Sequence, residues 1–162
     1  MINTEALTEF RALVERSKNR TVSLKHGSSI WMIENLIARV SLLDRRGGLG
    51  KVSGLNWGQR ENRNKNQAYL PLRGDVRQEG FLPPLKEHFV LISTDGLRFI
   101  CSVQQAGRKA LVCSDNSALG IWIRTKLRLA DGSLVTVKHL EHYGRTDFTL
   151  AKIRDDIFVV DF

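Results

Sequence analysis

The chain has 162 residues, of which 42% are hydrophobic and 26% charged, a composition that suits one globular domain and excludes wholesale disorder. No apolar run reaches the roughly 18 residues of a membrane-spanning helix; the N-terminus shows no secretory pattern, and two cysteines are too few for a disulfide framework, so a bacterial-style cytoplasmic protein is expected. Lys and Arg number 25 against 17 Asp and Glu, a net charge of +8 that points to a polyanionic partner.

In chain order, residues 4–18 read as an amphipathic helix with Leu7, Phe10, Leu13 and Val14 on one face and Asn3 or Thr4 as its cap. Residues 18–29 read as a polar linker. Residues 30–43 are ambiguous, with a first half that suits a short helix and an end, 37–43, that has the β-branched look of a strand. Residues 44–67 hold five glycines and four asparagines and few large apolar side chains, so this stretch cannot pack a core. A connection of that length is usually functional or disordered, and Trp57 in its middle argues against disorder. Residues 68–72 form a strand whose Pro71 favours a sheet edge. Residues 88–93 and 97–103 flank Asp95-Gly96 as a hairpin. A polar turn at 104–109 precedes a strand at 110–113. Asn116 or Ser117 is placed to cap a helix running to about Arg128, with Leu119, Trp122, Ile123 and Leu127 on its buried face. Residues 136–142 fit a helical turn or two, and 148–153 with 157–160 form a last hairpin. Six to eight short strands and two short helices make a mainly β domain, a barrel or half-open barrel.

The charge is not spread evenly. Residues 41–66 carry six cations against two anions, and residues 98–128 carry six against one. These two segments hold all the excess charge, as a nucleic-acid footprint would.

Nuclease chemistry does not show in the sequence. None of His26, His88, His139 and His142 has a Lys two positions on, and no Asp or Glu is followed at that spacing by Lys, so neither a phospholipase D site nor a metal-dependent restriction site is legible. His139 and His142 flank Glu141 but lack the spacing of a metal helix, and a surface or packing role fits them better. Cys101 and Cys113 are separated by eleven residues with no His nearby, and read as buried free thiols on two strands. No catalytic residue, metal ligand or cofactor is assigned.

Three blocks carry a resemblance: Val52-Ser53-Gly54-Leu55-Asn56-Trp57-Gly58-Gln59-Arg60; Arg63-Asn64-Lys65-Asn66-Gln67-Ala68-Tyr69-Leu70-Pro71; and Asn116-Ser117-Ala118-Leu119-Gly120 through Tyr143-Gly144-Arg145-Thr146-Asp147-Phe148. In order and spacing they resemble the C-terminal DNA-recognition domain of NgoFVII-type restriction endonucleases, over roughly residues 37–162. That family joins a phospholipase D-like nuclease to a pseudobarrel similar to the plant B-three transcription factors and the EcoRII effector domain. The resemblance implies a seven-stranded open pseudobarrel with two short helices, preceded by residues 1–36 as an N-terminal helix and linker. Residues 1–36 are too short to hold the nuclease half, so a stand-alone or truncated recognition domain is expected. The N-terminal helix is then a leftover linker, a docking element for a separate nuclease subunit, or a cover on the barrel.

The resemblance further implies two arms in the major groove of double-stranded DNA, the first at 44–67 and the second at 104–109 with the segment leading to Asn116. Arg60 and Arg63 suit bidentate contacts to guanine, and Gln59, Asn64 and Asn66 suit adenine or, equally, the capping of turns. Lys51, Lys65, Arg108 and Lys109 suit phosphates. Gln104, Gln105, Asn116 and Ser117 would supply the second arm's readout, with a plain capping role as the alternative for the last two. Trp57 reads as an anchor for the first arm. A protein-interaction or regulatory subunit, docking onto a nuclease through the N-terminal helix, is the competing function.

Overall fold

A computed structural model describes residues 2–17, 23–32 and 35–162. The elements are α1 (Ile2–Ser17), β1 (Ser29–Met32), β2 (Ile37–Ser41), β3 (Leu70–Pro71), β4 (His88–Ser93), β5 (Arg98–Gln104), β6 (Ala110–Cys113), α2 (Asn116–Lys126), α3 (Val137–Tyr143), β7 (Asp147–Arg154) and β8 (Ile157–Asp161). Short 3-10 helices occupy Gly54–Gln59 and Gly74–Arg77. The strands form one sheet of eight, ordered β1-β2-β7-β8-β4-β5-β6-β3. All pairings are antiparallel except β4 with β8. The architecture is the expected mainly β one, with one strand more than the expected seven. The extra one arises in 30–43, where the suggested short helix is instead β1, and most of the expected 18–29 linker lies outside the described residues or leads into that strand.

The two ends of the sheet approach each other through Gly74–Arg77. The Val76 amide donates to Ser29 Oγ at 2.9 Å, and a Cβ on Gly74, whose φ is +61°, would sit 2.7 Å from the Ser29 nitrogen. Glycine therefore meets two needs here, a left-handed turn and a close approach of two backbones.

The core explains the strand sequences. In β8, Phe158 and Val160 point into the main core, where Phe158 meets Phe89 and Phe81 edge-on at 5.2 and 5.7 Å. Ile157 and Val159 point outward. That outward face is also buried, because Ala6, Phe10 and Leu13 of α1 cover it with Ile37, Ile92 and Ala151. A strand covered on both faces reads as an unbroken apolar run. Of the three roles open to the N-terminal helix, its apolar face serves as a cover. Asn3 lies inside α1 rather than capping it, and its side-chain amide donates to the Gly96 carbonyl at 3.2 Å.

Cys101 and Cys113 depart from the expected free thiols. They are register partners on β5 and β6, with Cα atoms 4.0 Å apart, and are joined as a disulfide. The turn at 105–109 folds the intervening residues back, so a wide gap in sequence becomes direct opposition across a hairpin.

The caps also differ in detail. Asp115, not Asn116 or Ser117, caps α2, its carboxylate accepting from the Ala118 amide at 2.9 Å. Thr136 caps α3, and His139 Nδ1 accepts the Thr136 amide at 3.1 Å in return. That reciprocal pair gives His139 a structural role. Thr136→Ala should lower stability by about 1 kcal/mol, read as a lower midpoint in thermal unfolding; an unchanged midpoint would show that the cap contributes nothing.

The Tyr143-Gly144-Arg145-Thr146-Asp147 run is explained by the fold as well. Gly144 ends α3 in the left-handed region, at φ +91°. Arg145 then bonds Asp147 at 3.1 Å, Asp161 at 2.5 Å and Thr149 at 2.6 Å, while Arg39 reaches Asp147 at 2.7 Å. This network joins β2, β7 and β8 where α3 enters the sheet. No described helix is long and apolar enough to cross a membrane.

Candidate nucleic-acid interface

The first arm is ordered by its own polar side chains. Asp44 opens it, accepting the Arg46 and Gly48 amides at 2.8 and 2.9 Å. Those two amide bonds, Gly48 first, hold its carboxyl below the ordinary aspartate range. Asn56 is fully buried: its side-chain amide donates to the Gly50 and Val135 carbonyls, each at 2.8 Å, and its oxygen accepts the Val135 amide at 2.8 Å. Trp57 packs edge-on against Tyr69 at 5.6 Å, and the Arg63 guanidinium lies over its ring at 4.0 Å. Trp57 is thus an internal anchor of the arm, as its sequence context suggests.

The predicted site residues fall into three groups. Arg60 and Lys65 gather at the arm's tip. Arg60 is exposed and steadied by its Nε, which donates to the Val52 carbonyl at 2.9 Å. Lys65 Nζ is 3.5 Å from the carbonyls of Gln59 and Arg60, and Lys51 is exposed on the same arm. A second group is hydrogen-bonded within the protein through side chain or backbone, Asn64 among them although it is exposed. Gln59 donates to the carbonyls of Gly132 at 3.0 Å and Lys65 at 3.2 Å. Asn64 accepts the Asn66 amide at 2.9 Å, and Asn66 accepts the Gly132 amide at 2.7 Å. Arg63 donates to Gln67 at 2.9 Å. Arg108 donates to the carbonyls of Leu82 and Pro83 at 3.1 and 2.9 Å. Gln104 donates to the Ser102 hydroxyl at 2.8 Å. Asn116 and Ser117 lie in the first turn of α2, where the Asn116 carbonyl accepts the Ala68 amide at 3.1 Å.

A third group, Gln105 and Lys109, faces the first arm across a cleft of about 410 Å³. Arg45 and Ser53 of the 44–67 loop line it together with Gln105 and Lys109 of the 104–109 turn. Tyr69, Arg73 and Arg77 complete the lining. Arg77 Nε donates to the Gly107 carbonyl at 2.7 Å and so fixes the second arm's turn. Arg73 Nε is buried and finds no hydrogen-bond partner among the described residues. Burial pulls the Arg73 pKa down, and the nearby Asp44 charge and Tyr69 oppose the shift.

Arg73 and Arg77 were missed from sequence because they lie between the two charge-rich segments. They stand at the two ends of one 3-10 turn in Arg73-Gly74-Asp75-Val76-Arg77, and it is the fold, not their spacing, that brings both to the cleft. Conversely, part of the second segment's charge is not at the cleft: Arg124 is buried, and Lys126 pairs with Asp95 at 2.9 Å. Among the described residues no group of three His, Cys, Asp or Glu side chains could hold a metal ion.

A concave, cation-lined wall between two projecting loops on a β scaffold suits a polyanion. Comparison with known proteins agrees with that chemistry. None of the curated proteins matches the chain significantly. Residues 32–154, however, match the family model of the NgoFVII C-terminal B3-like DNA-binding domain, a span that takes in β2 through β7 with the 44–67 loop and the 104–109 turn. The chain belongs to this family of B3-like DNA-binding domains of restriction enzymes.

Proposed function

We propose that the chain binds double-stranded DNA sequence-specifically, with the two arms in the major groove, as the target-recognition domain of a restriction-modification endonuclease working in the bacterial cytoplasm. Residues 37–162 form the recognition unit, and residues 1–36 an appended helix and linker. The supporting observation is the cleft: Arg45 and Ser53 from one charge-rich segment and Gln105 and Lys109 from the other line it together with Arg73 and Arg77. In this reading Arg45, Arg73, Arg77 and Lys109 neutralise phosphates and set the register, while the tip of the first arm reads base edges. Lys51 and Lys65 flank that tip as further phosphate contacts. Gln105 reads from the second arm. Gln59, Arg63, Asn64, Asn66, Gln104, Arg108, Asn116 and Ser117 hold the shape of the interface, with the groups they leave unbonded open to DNA. Cleavage is assigned to a separate nuclease, of the phospholipase D-like kind that the family suggests.

Selection of bound duplexes from a random pool tests the reading; recovery of no preferred sequence would refute specificity. On the selected site, Arg60→Ala should cost ~1–3 kcal/mol and relax one base position. An equal loss on every duplex in a binding array would remove Arg60 from base readout. The competing reading, a regulatory subunit docking through α1, loses ground because the apolar face of that helix is spent on β7 and β8.

A further inference from the structure

We propose that Arg124 is a positioning residue for base readout: a buried guanidinium that locks the first arm in the pose from which it reads. This rests on the recognition reading above. Arg124 is 0% exposed, the largest fully buried side chain in the protein's described part. Among the described residues no carboxylate bonds it, although the charge of Asp131 is near enough to oppose the burial that pulls its pKa down. Its N–H groups are directed instead at main-chain carbonyls: Ser133 at 2.9 Å from Nε, Gly120 and Asn66 at 3.2 and 3.3 Å from Nη1, and Leu55 at 3.4 Å from Nη2. Leu55 and Asn66 bracket the inner part of the first arm, and Ser133 lies in the turn after α2. One planar fork therefore ties three segments together, which no ammonium or apolar side chain can do.

The surrounding structure is built around the same lock. Gln59 and Asn66 both bond Gly132, and Asn56 bonds Val135 twice, so the 132–135 turn is stitched to the arm along its length. Gly120, in the middle of α2, is what lets the arm approach: a Cβ there would run into the Asn66 carbonyl oxygen and sit 2.7 Å from its carbon. A glycine in a helix interior weakens the helix, and a buried charge without a carboxylate partner is costly. Both are tolerated at the one place where the arm meets the helix. An arm fixed before binding loses little conformational freedom when it enters the groove, and bidentate base contacts need such fixed geometry.

The test uses the full chain with R124K and G120A. R124K keeps the charge but not the fork. G120A favours the helix while pushing the arm away. Each variant should lose about 10–100-fold in the ratio of selected-site to random-duplex affinity, as if one or two base readouts were gone. Random-duplex binding and its salt slope should stay at the wild-type values. Hydrogen exchange should quicken at the Gly58, Gln67 and Gly132 amides but not in β7 or β8. The proposal is overturned if the ratio survives in a folded variant, or if both affinities fall together. Unfolding of both variants also overturns it, since Arg124 would then hold up the whole fold. A wild-type chain with no preferred duplex overturns the recognition reading and this one with it; a specific wild type with an unaltered variant ratio overturns this one alone.

Discussion

Replacing Arg45, Arg73 and Lys109 together by Gln should weaken duplex binding by about 10²–10³-fold near 0.1 M salt, equally on every sequence. The argument is counterion release. Each phosphate neutralised contributes roughly 0.9 to the slope of log K against log salt, which is close to a factor of ten in affinity at that concentration. With three cations removed, the slope should therefore flatten by about 2.7. Glutamine keeps most of the side-chain volume, so the cleft between the arms is retained while its charge is removed. Arg77 is left in place because its bond to the Gly107 carbonyl holds the second arm. Titrations of a random duplex at several salt concentrations read both quantities. A slope within about half a unit of wild type would mean that these cations do not face phosphates. A loss confined to one sequence would move them from positioning to base readout.

The second large effect concerns the arm itself. Asn56→Leu should destabilise the protein by about 3–5 kcal/mol, because it leaves the Val135 amide and carbonyl and the Gly50 carbonyl without partners. Each buried polar group so orphaned costs about 1–3 kcal/mol, and the leucine recovers little, since the site is shaped for a polar side chain. For a chain of this size the thermal midpoint should fall on the order of 10 °C. A drop of under about 2 °C would show that the arm unfolds separately from the barrel, and that Asn56 secures only the arm.

Much of the fold is legible in the residues. The Asp95-Gly96 hairpin, the turn at 104–109 and the last hairpin all have alternating or unbroken apolar strands bounded by turn residues. Two elements mislead. The 30–43 stretch has an apolar start that serves a helix or a strand equally, and only pairing with β2 decides for β1. Asp115 outcompetes Asn116 and Ser117 as a cap because the chain is already helical at Asn116, a backbone path that the sequence does not display. The site was legible as charge and as motif, but not as geometry. Arg60, Lys51, Lys65 and Lys109 are exposed, as binding at a surface needs. Arg63, Asn66 and Arg108 have the right chemistry for nucleic acid and spend it on carbonyls, amides and an indole ring within the protein. A side chain's type does not reveal whether its hydrogen bonds are already taken.

The lone parallel pairing has a bearing on how this molecule comes into being. β8 lies in the middle of the sheet, wedged between β4 and β7, yet it comes last of the sheet's eight strands in chain order. Until residues 157–161 leave the ribosome, the sheet is two halves, β1, β2 and β7 on one side and β4, β5, β6 and β3 on the other, with no strand pairing between them. Each half presents an open strand edge to its surroundings, the kind of surface that invites mispairing. Joining of the two halves of the sheet therefore waits for residues 157–161 to emerge and pair with β4 and β7.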